Sequence, residues 1–312
     1  MYIPLHWWST FSFLEAIGKP KDIVKKAKEL GFPAIALTDL NVVYWLIQFY
    51  QAAKAEEIKP ILWVEIWFVM DVNAISNVKN IGSLCLLAKN DQWYLNLLKL
   101  VTYASQEGVM RRPKIDFQVL QQYKDWILCF MWWENSWMAA MMENSENEDR
   151  IKEIFDMLIQ ILWKENCFLE IIAQDESENS KIKAMNQFVL SLSKEKNIPC
   201  LVSNMYRYLT QKDKTTHELA MAIKDNMTIF DANHRVLTTE NHMMVDDEIR
   251  FICQKNGYTK DQIDEWISNT KVVADLCNAN IEMWQKLFPK YEVEEDIAEL
   301  YDKYKNDLIL EE

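Results

Sequence analysis

Residues 20–69 read PKDIVKKAKELGFPAIALTDLNVVYWLIQFYQAAKAEEIKPILWVEIWFV, and their periodicity decides the fold. Ile23, Val24, Ala27 and Leu30 share one helical face, with Lys25, Lys26, Lys28 and Glu29 opposite. Pro20 is a start signal and Gly31 a stop. The run 34–39 is a short apolar strand ending in the polar pair Thr38-Asp39, residues 43–56 read as a second helix, and 60–69 as another strand. With Tyr2 to Leu5 as a strand before them, strands and helices alternate at a spacing that predicts parallel pairing through right-handed crossovers.

Outward from this stretch the alternation continues. Strands are expected at 83–88, 127–131, 167–172 and 199–203, and helices at 92–103, 149–162 and 180–194. Seven strands separated by helices predict a closed or nearly closed α/β barrel. After about residue 212 the pattern turns helical, and 292–312 is highly charged and helical by composition. Parallel α/β proteins carry their functional residues at the C-terminal ends of strands. Those ends hold His6, Asp39-Leu40, Glu65, Trp132-Trp133 and residues 204–207.

The balance of 34 basic and 47 acidic residues gives a net charge of -13, which disfavours free-standing nucleic-acid binding because such a surface repels phosphates. The six cysteines include no C-x-x-C pair, so neither a zinc knuckle nor a redox pair is indicated, and buried reduced thiols are expected. No apolar run approaches the roughly 20 residues that cross a bilayer. The opening residues Met1 to His6 do not read as a secretory signal. A cytoplasmic protein with no membrane partner is the expectation.

Several segments then fall into one order and spacing: Leu5-His6-Trp7-Trp8-Ser9, residues 25–31, Ala36-Leu37-Thr38-Asp39, Lys59-Pro60-Ile61 with Glu65, residues 86–90, 199–209 and 269–278. Over roughly residues 1–290 the chain resembles the N-terminal PHP (polymerase and histidinol phosphatase) domain of bacterial DNA polymerase III alpha subunits. The resemblance implies a distorted seven-stranded β/α barrel with a helical C-terminal portion. Residues 291–312 are then a charged helical tail or the start of the polymerase region. Active members of the family bind up to three zinc or manganese ions and hydrolyse phosphoesters with a metal-bound hydroxide.

Carried over position by position, the family's metal ligands are mostly missing. The H-x-H motif falls on His6 and Trp8, and Glu15 stands where an aspartate is usual. The T-D-H motif is Thr38-Asp39-Leu40, and the glutamate after the third strand is Glu65. The next histidine falls on Ser83, the cysteine of an S-G-C turn on Trp133, and the closing D-x-H pair on Met205 and Arg207. His6, Glu15, Asp39, Glu65 and Arg207 thus form a vestigial site with too few donors for a trinuclear centre. No catalytic residue, metal or cofactor is expected. Without metal, His6 is expected to be a hydrogen-bonded strand-end histidine, Asp39 a helix cap and Glu65 the partner of Arg207. His217, His234 and His242 are expected outside any site, the last two at the surface.

The implied function is a structural PHP domain in DNA replication. Its partners would be the polymerase module and other replisome subunits, with DNA contacted only indirectly. The DNA-directed DNA polymerase (nucleotidyltransferase) activity of full-length relatives resides in a region beyond this domain. The enzyme alternative is a metal-dependent phosphoesterase or 3′-5′ exonuclease whose reduced metal site is built from His6, Glu15, Asp39 and Glu65.

Glycine and tryptophan counts are abnormal, with 5 glycines and 13 tryptophans. Against the family pattern, Trp45, Trp63, Trp93, Trp126, Trp132 and Trp163 fall where glycine is usual. Tryptophan does not relax into positive φ as glycine does. The expectation is a decoding artefact, in which UGA codons read as glycine by the organism are written as tryptophan. Converting all thirteen would give 18 glycines, about 6% and close to an ordinary share.

Overall fold

The computed structural model describes residues 1–73, 82–108, 112–124, 127–130, 136–144 and 146–283. The chain divides into two units, Met1–Asn280 and Ile281–Glu312. The charged tail at 291–312 lies outside the described residues, as do Trp126, Trp132, Trp133 and the side chain of Trp93.

In the first unit the order is α1 (Pro20–Glu29), β1 (Ala34–Leu37), α2 (Leu46–Ala55), β2 (Lys59–Phe68), β3 (Gly82–Ala88), α3 (Asp91–Gln106) and α4 (Phe117–Gln122). There follow β4 (Ile127–Phe130), α5 (Trp137–Glu143), α6 (Glu148–Leu162), β5 (Cys167–Ile172), α7 (Ser180–Lys196) and β6 (Cys200–Ser203). Then come α8 (Lys214–Lys224), α9 (Asp246–Lys255) and α10 (Lys260–Leu276). Local chemistry explains many of these boundaries. Asp22 opens α1 and Lys26 and Lys28 close it, matching its dipole, and Gly31 follows at φ 77. Asp116, Ser136, Asn147 and Asn179 cap α4, α5, α6 and α7 by accepting backbone N–H bonds, and Thr259 with Gln262 forms a capping box on α10. Helix α2 begins at Leu46 rather than Val43, with Trp45 at its N-terminal boundary.

The six strands form one sheet in the order β1 to β6. β3 and β5 are buried along their whole length, and β2 nearly so, which is why they read as unbroken apolar runs. Pairing is parallel for β1–β2, β4–β5 and β5–β6, but β3 runs antiparallel to both β2 and β4. The expectation of parallel pairing throughout is therefore corrected at β3. A strand covered on both faces carries no directional signal in its sequence. The link from β2 to β3, residues 69–81, is near the lower limit for a parallel crossover, whereas an antiparallel neighbour accepts short links.

The strand expected at Tyr2 to Leu5 is not a regular strand, and Pro4 has no N–H to give a ladder. Residues 4–8 nevertheless occupy the seventh position. Pro4 and Trp7 carbonyls accept from Ala36 N (3.2 Å) and Thr38 N (2.7 Å) on one side. On the other, Tyr206 N donates to His6 O and Trp8 N to Tyr206 O, each at 3.0 Å. The N-terminal segment thus joins β1 to the stretch after β6 and brings the two edges of the sheet together. Beyond α8 the expected helical region is interrupted, since residues 225–245 contain no helix.

Two positions bear on the glycine question. Gly82 is required where β3 meets α5, because a Cβ there would lie 2.2 Å from the Trp137 Cα. Trp163, after α6, sits at φ 62 and ψ 132, a backbone that glycine adopts and a bulky residue pays for in strain. The indole N–H groups of Trp7 and Trp137 are buried with no hydrogen-bond acceptor. Such groups are costly to leave unmade.

Replacing Trp163, which is 43% exposed, by glycine should therefore raise stability by about 1–3 kcal/mol, read as a higher urea midpoint at unchanged slope. An unchanged or lower midpoint would contradict the strain. Tandem mass spectrometry of the natively expressed peptide across this position should find glycine if the codon is UGA.

Candidate functional site

The barrel interior brings together His6 from the N-terminal segment, Glu65 from β2, Ser83 and Cys85 from β3, and Glu170 from β5. All are at least 99% buried. Glu65 and Cys85 are direct cross-strand partners, and Ser83 lies two residues from Cys85 on the same strand. The His6 ring stands between two carboxylates. Its Nε2 is 3.2 Å from Glu65 Oε2 and its Nδ1 is 3.4 Å from Glu170 Oε1. Burial alone would lower the His6 pKa, but the flanking carboxylates of Glu170 and Glu65 outweigh it and push it up to about 9. His6 is therefore an imidazolium at neutral pH, a buried cation held between two acids.

Glu65 has further donors. The Trp8 indole N–H reaches Oε2 at 2.7 Å, and the Ser83 hydroxyl reaches Oε1 at 2.5 Å. The expectation paired Glu65 with Arg207; Glu65 instead meets His6, Trp8 and Ser83, and Arg207 pairs with Glu15. Arg207 Nη1 lies 3.5 Å from Glu15 Oε2 and 3.2 Å from the Glu15 carbonyl, and the guanidinium stacks 4.2 Å from the Trp8 ring centroid. Trp8 thus touches both, giving its N–H to Glu65 and its face to Arg207. Lys224 also pairs with Glu15. Asp39, fully buried after β1, accepts from the backbone N–H and hydroxyl of both Ser9 and Ser12. The expectation of a helix cap is corrected: Asp39 ties down the 9–12 turn, which is not helical. Burial nevertheless pushes its pKa up to about 6 against the pull of those bonds.

Of the four residues expected to hold any remaining metal, His6 and Glu65 are brought together. Asp39 faces Ser9 and Ser12, and Glu15 faces Arg207 and Lys224. Among the described residues, the one group with donor atoms within 4.8 Å of one another is His6, Glu65 and Cys85. Burial raises the Cys85 thiol well above its ordinary pKa, so it stays protonated, and its Sγ is 3.9 Å from His6 Nε2. The residues present do not fit a three-metal centre. Asp39 and Glu65 already accept protein hydrogen bonds, and Glu15 is paired with Arg207 and Lys224.

Sequence reasoning missed Glu170 and Cys85. Glu170 is a lone charge in the apolar strand Cys167–Ile172, a signal that a partner must exist inside the barrel. His217 is buried, and its Nε2 donates to the Glu15 carbonyl at 2.7 Å. Burial, then Arg207 and Arg235, lower its pKa to about 3, so it is neutral. His234 is half-buried with Nδ1 2.8 Å from Asp231 O. His242 was expected at the surface and is corrected: it is 8% exposed, because residues 241–244 pack inward beside Tyr208.

The His6 cluster carries a pH signature. A folded pKa of about 9 against about 6.5 unfolded means the stabilisation is complete below pH 6.5 and is lost as pH rises through 9. Unfolding free energy should fall by a few kcal/mol between pH 6.5 and 10 in urea titrations, and His6→Asn should flatten that fall. An identical pH profile in the variant would contradict the buried imidazolium.

The sequence of residues 4–174 matches the PHP domain family. The chain is similar to the DNA polymerase III subunit alpha of Chlamydia pneumoniae, with 28% identity over 93% of this chain and 25% of the relative. It is also similar to that of Aquifex aeolicus, with 26% identity over 95% of this chain and 26% of the relative. The chain spans about a quarter of the length of the curated relatives it matches. Among solved structures, a two-domain protein from Bacteroides vulgatus containing a predicted PHP-like metal-dependent phosphoesterase aligns at 13% identity and a TM-score of 0.42, covering 82% of this chain and 62% of that one. With more than half of its residues matched by the family model, this chain belongs to the PHP domain family.

Proposed function

We propose that this chain is a structural PHP module of a DNA polymerase III alpha type of subunit, supporting a polymerase region and other replisome subunits while hydrolysing nothing itself. The observation that carries this reading is the use of the retained donors. Glu65, Asp39 and His6 are engaged with protein groups, and the His6 imidazolium supplies the positive charge that metal ions supply in active relatives. A cation entering here would have to displace one already held between two carboxylates. Polymerase chemistry is assigned to the rest of a full-length chain, and contact with DNA is indirect, in keeping with the net charge of -13. No helix among the described residues is long and apolar enough to cross a membrane, and the reading places the protein in the cytoplasm with the replication apparatus.

The competing reading, a phosphoesterase or 3′-5′ exonuclease with a reduced metal site, draws on the proximity of His6, Glu65 and Cys85. It requires a bound ion to displace the protons of His6 and Cys85 that the metal-free surroundings favour.

Elemental analysis of purified protein should find zinc and manganese well below one equivalent, and bis(p-nitrophenyl) phosphate should not turn over with either metal added. A stoichiometric ion with turnover would overturn the proposal. Glu170→Gln removes one of the two acids holding His6 and should cost about 3 kcal/mol in urea unfolding, as breaking a buried pair does. A loss under about 1 kcal/mol would mean that Glu170 is not holding that charge.

A further inference from the structure

A groove of about 480 Å³ lies apart from the barrel interior, between the loop after β5, residues 238–244 and α9. Its walls carry five carboxylates, Asp175, Glu178, Glu240, Asp247 and Glu248, against two lysines. Both lysines are committed, Lys214 to Glu240 and Lys255 to Asp175. The groove is therefore acidic even where it is paired. On one side Phe251 stands 67% exposed beside Ile252, and Met244 is buried behind.

A buried carboxylate oxygen of Glu240 faces the His242 ring here. The Glu240 backbone is pinned, its N–H donating to Gln174 Oε1 and its carbonyl accepting from Gln174 Nε2 and Asn204 Nδ2. Its Oε1 pairs with Lys214, but Oε2 is buried without a hydrogen-bond partner. His242, 92% buried by its 8% exposure, donates from Nε2 to Glu248 Oε1 at 3.2 Å, since a carboxylate only accepts. His242 Nδ1 lies 3.8 Å from Glu240 Oε2, beyond hydrogen-bond length, and makes no hydrogen bond of its own. A buried carboxylate oxygen with no hydrogen-bond donor is costly, and a donor-rich cation relieves that cost. Glu240 and Glu248 address opposite nitrogens of the ring, so no single point is ringed by all three as a metal ion would need. An ammonium or guanidinium group, which spreads its N–H bonds, fits better.

We propose that this groove docks a basic, apolar segment of a partner protein, one arginine or lysine donating to Glu240 Oε2 beside the His242 ring and a neighbouring apolar side chain lying on Phe251. Charge complementarity selects the occupant: the excess of carboxylates rejects acidic segments and phosphates, and the exposed phenylalanine rewards an apolar neighbour. The inference rests on the scaffold reading, in which the chain works by holding partners.

The test is a titration of the whole chain with N-acetyl-arginyl-phenylalanine amide, followed by NMR at the Met244 methyl and the His242 ring. Saturable shifts at both are expected. The neutral, isosteric citrullyl peptide should bind at least about tenfold more weakly, and Glu240→Gln should weaken the arginyl peptide by about tenfold. Phe251→Ala, a surface change that spares the fold, should weaken both peptides. Equal binding of the two peptides, absence of shifts at the groove at millimolar peptide, or indifference to Glu240→Gln would overturn the proposal. Its failure is separable from that of the scaffold reading. Phosphodiester turnover would defeat the scaffold and leave groove binding standing, whereas a silent groove in a protein without turnover would defeat the groove alone.

Discussion

A protonated imidazole clamped between two carboxylates in a dry barrel is the constraint around which the rest of the structure is arranged. Taking Glu65 and Glu170 out of water is expensive unless a positive charge accompanies them. His6 provides it from a segment whose backbone is bonded to β1 on one side and to the stretch after β6 on the other. The ion cluster and the closure of the ring are thus one event. If His6 moves, two buried acids lose their counter-charge and the seam loses its register.

From this centre the polar contacts run outward to the mouth through Trp8. Its N–H serves Glu65 inside, and its ring supports Arg207, which with Lys224 holds Glu15. The charges thus run as a graded network, densest in the interior and exposed to solvent at Lys224. Organic cations on fixed side chains cannot be exchanged for substrate or water as metal ions can. The arrangement suits a part that must keep one shape more than a part that must pass through a reaction cycle. If Trp8 is a glycine in the living cell, Glu65 loses its indole donor and Arg207 its platform, while His6 and Ser83 still meet Glu65.

The elements with strong local patterns were legible in the sequence. Helix α1 follows from its apolar stripe and its Pro and Gly boundaries, and β2, β3, β5 and β6 follow from short runs that are buried on both faces. What those runs do not carry is direction, which is why the antiparallel placement of β3 emerged only from tertiary pairing. Pro4 spoiled the regularity of the first strand without displacing it from its place in the ring. In the site, His6 and Glu65 were readable because spaced motifs mark them. Glu170 was not, because one acid in an apolar strand says that a partner exists and not which one. The pairing of Arg207 with Glu15 joins residues far apart in the chain, and no local rule ranks Glu15 above Glu65. His242 was misplaced for a related reason: a polar loop reads as surface until something folds over it.

The threading of residues 2–8 has a consequence for biogenesis. Tyr2 N donates to Asp246, the Tyr2 hydroxyl meets that of Tyr206, and Ile3 N donates to Thr270. Tyr2 and Ile3 thus bond to residues lying 204 to 267 positions further along the chain. Contacts of such long sequence separation make for slow, late-committing folding. Residues 4–8 can meet β1 early, but this seam of the ring is complete only when Tyr206, Asp246 and Thr270 are also in place.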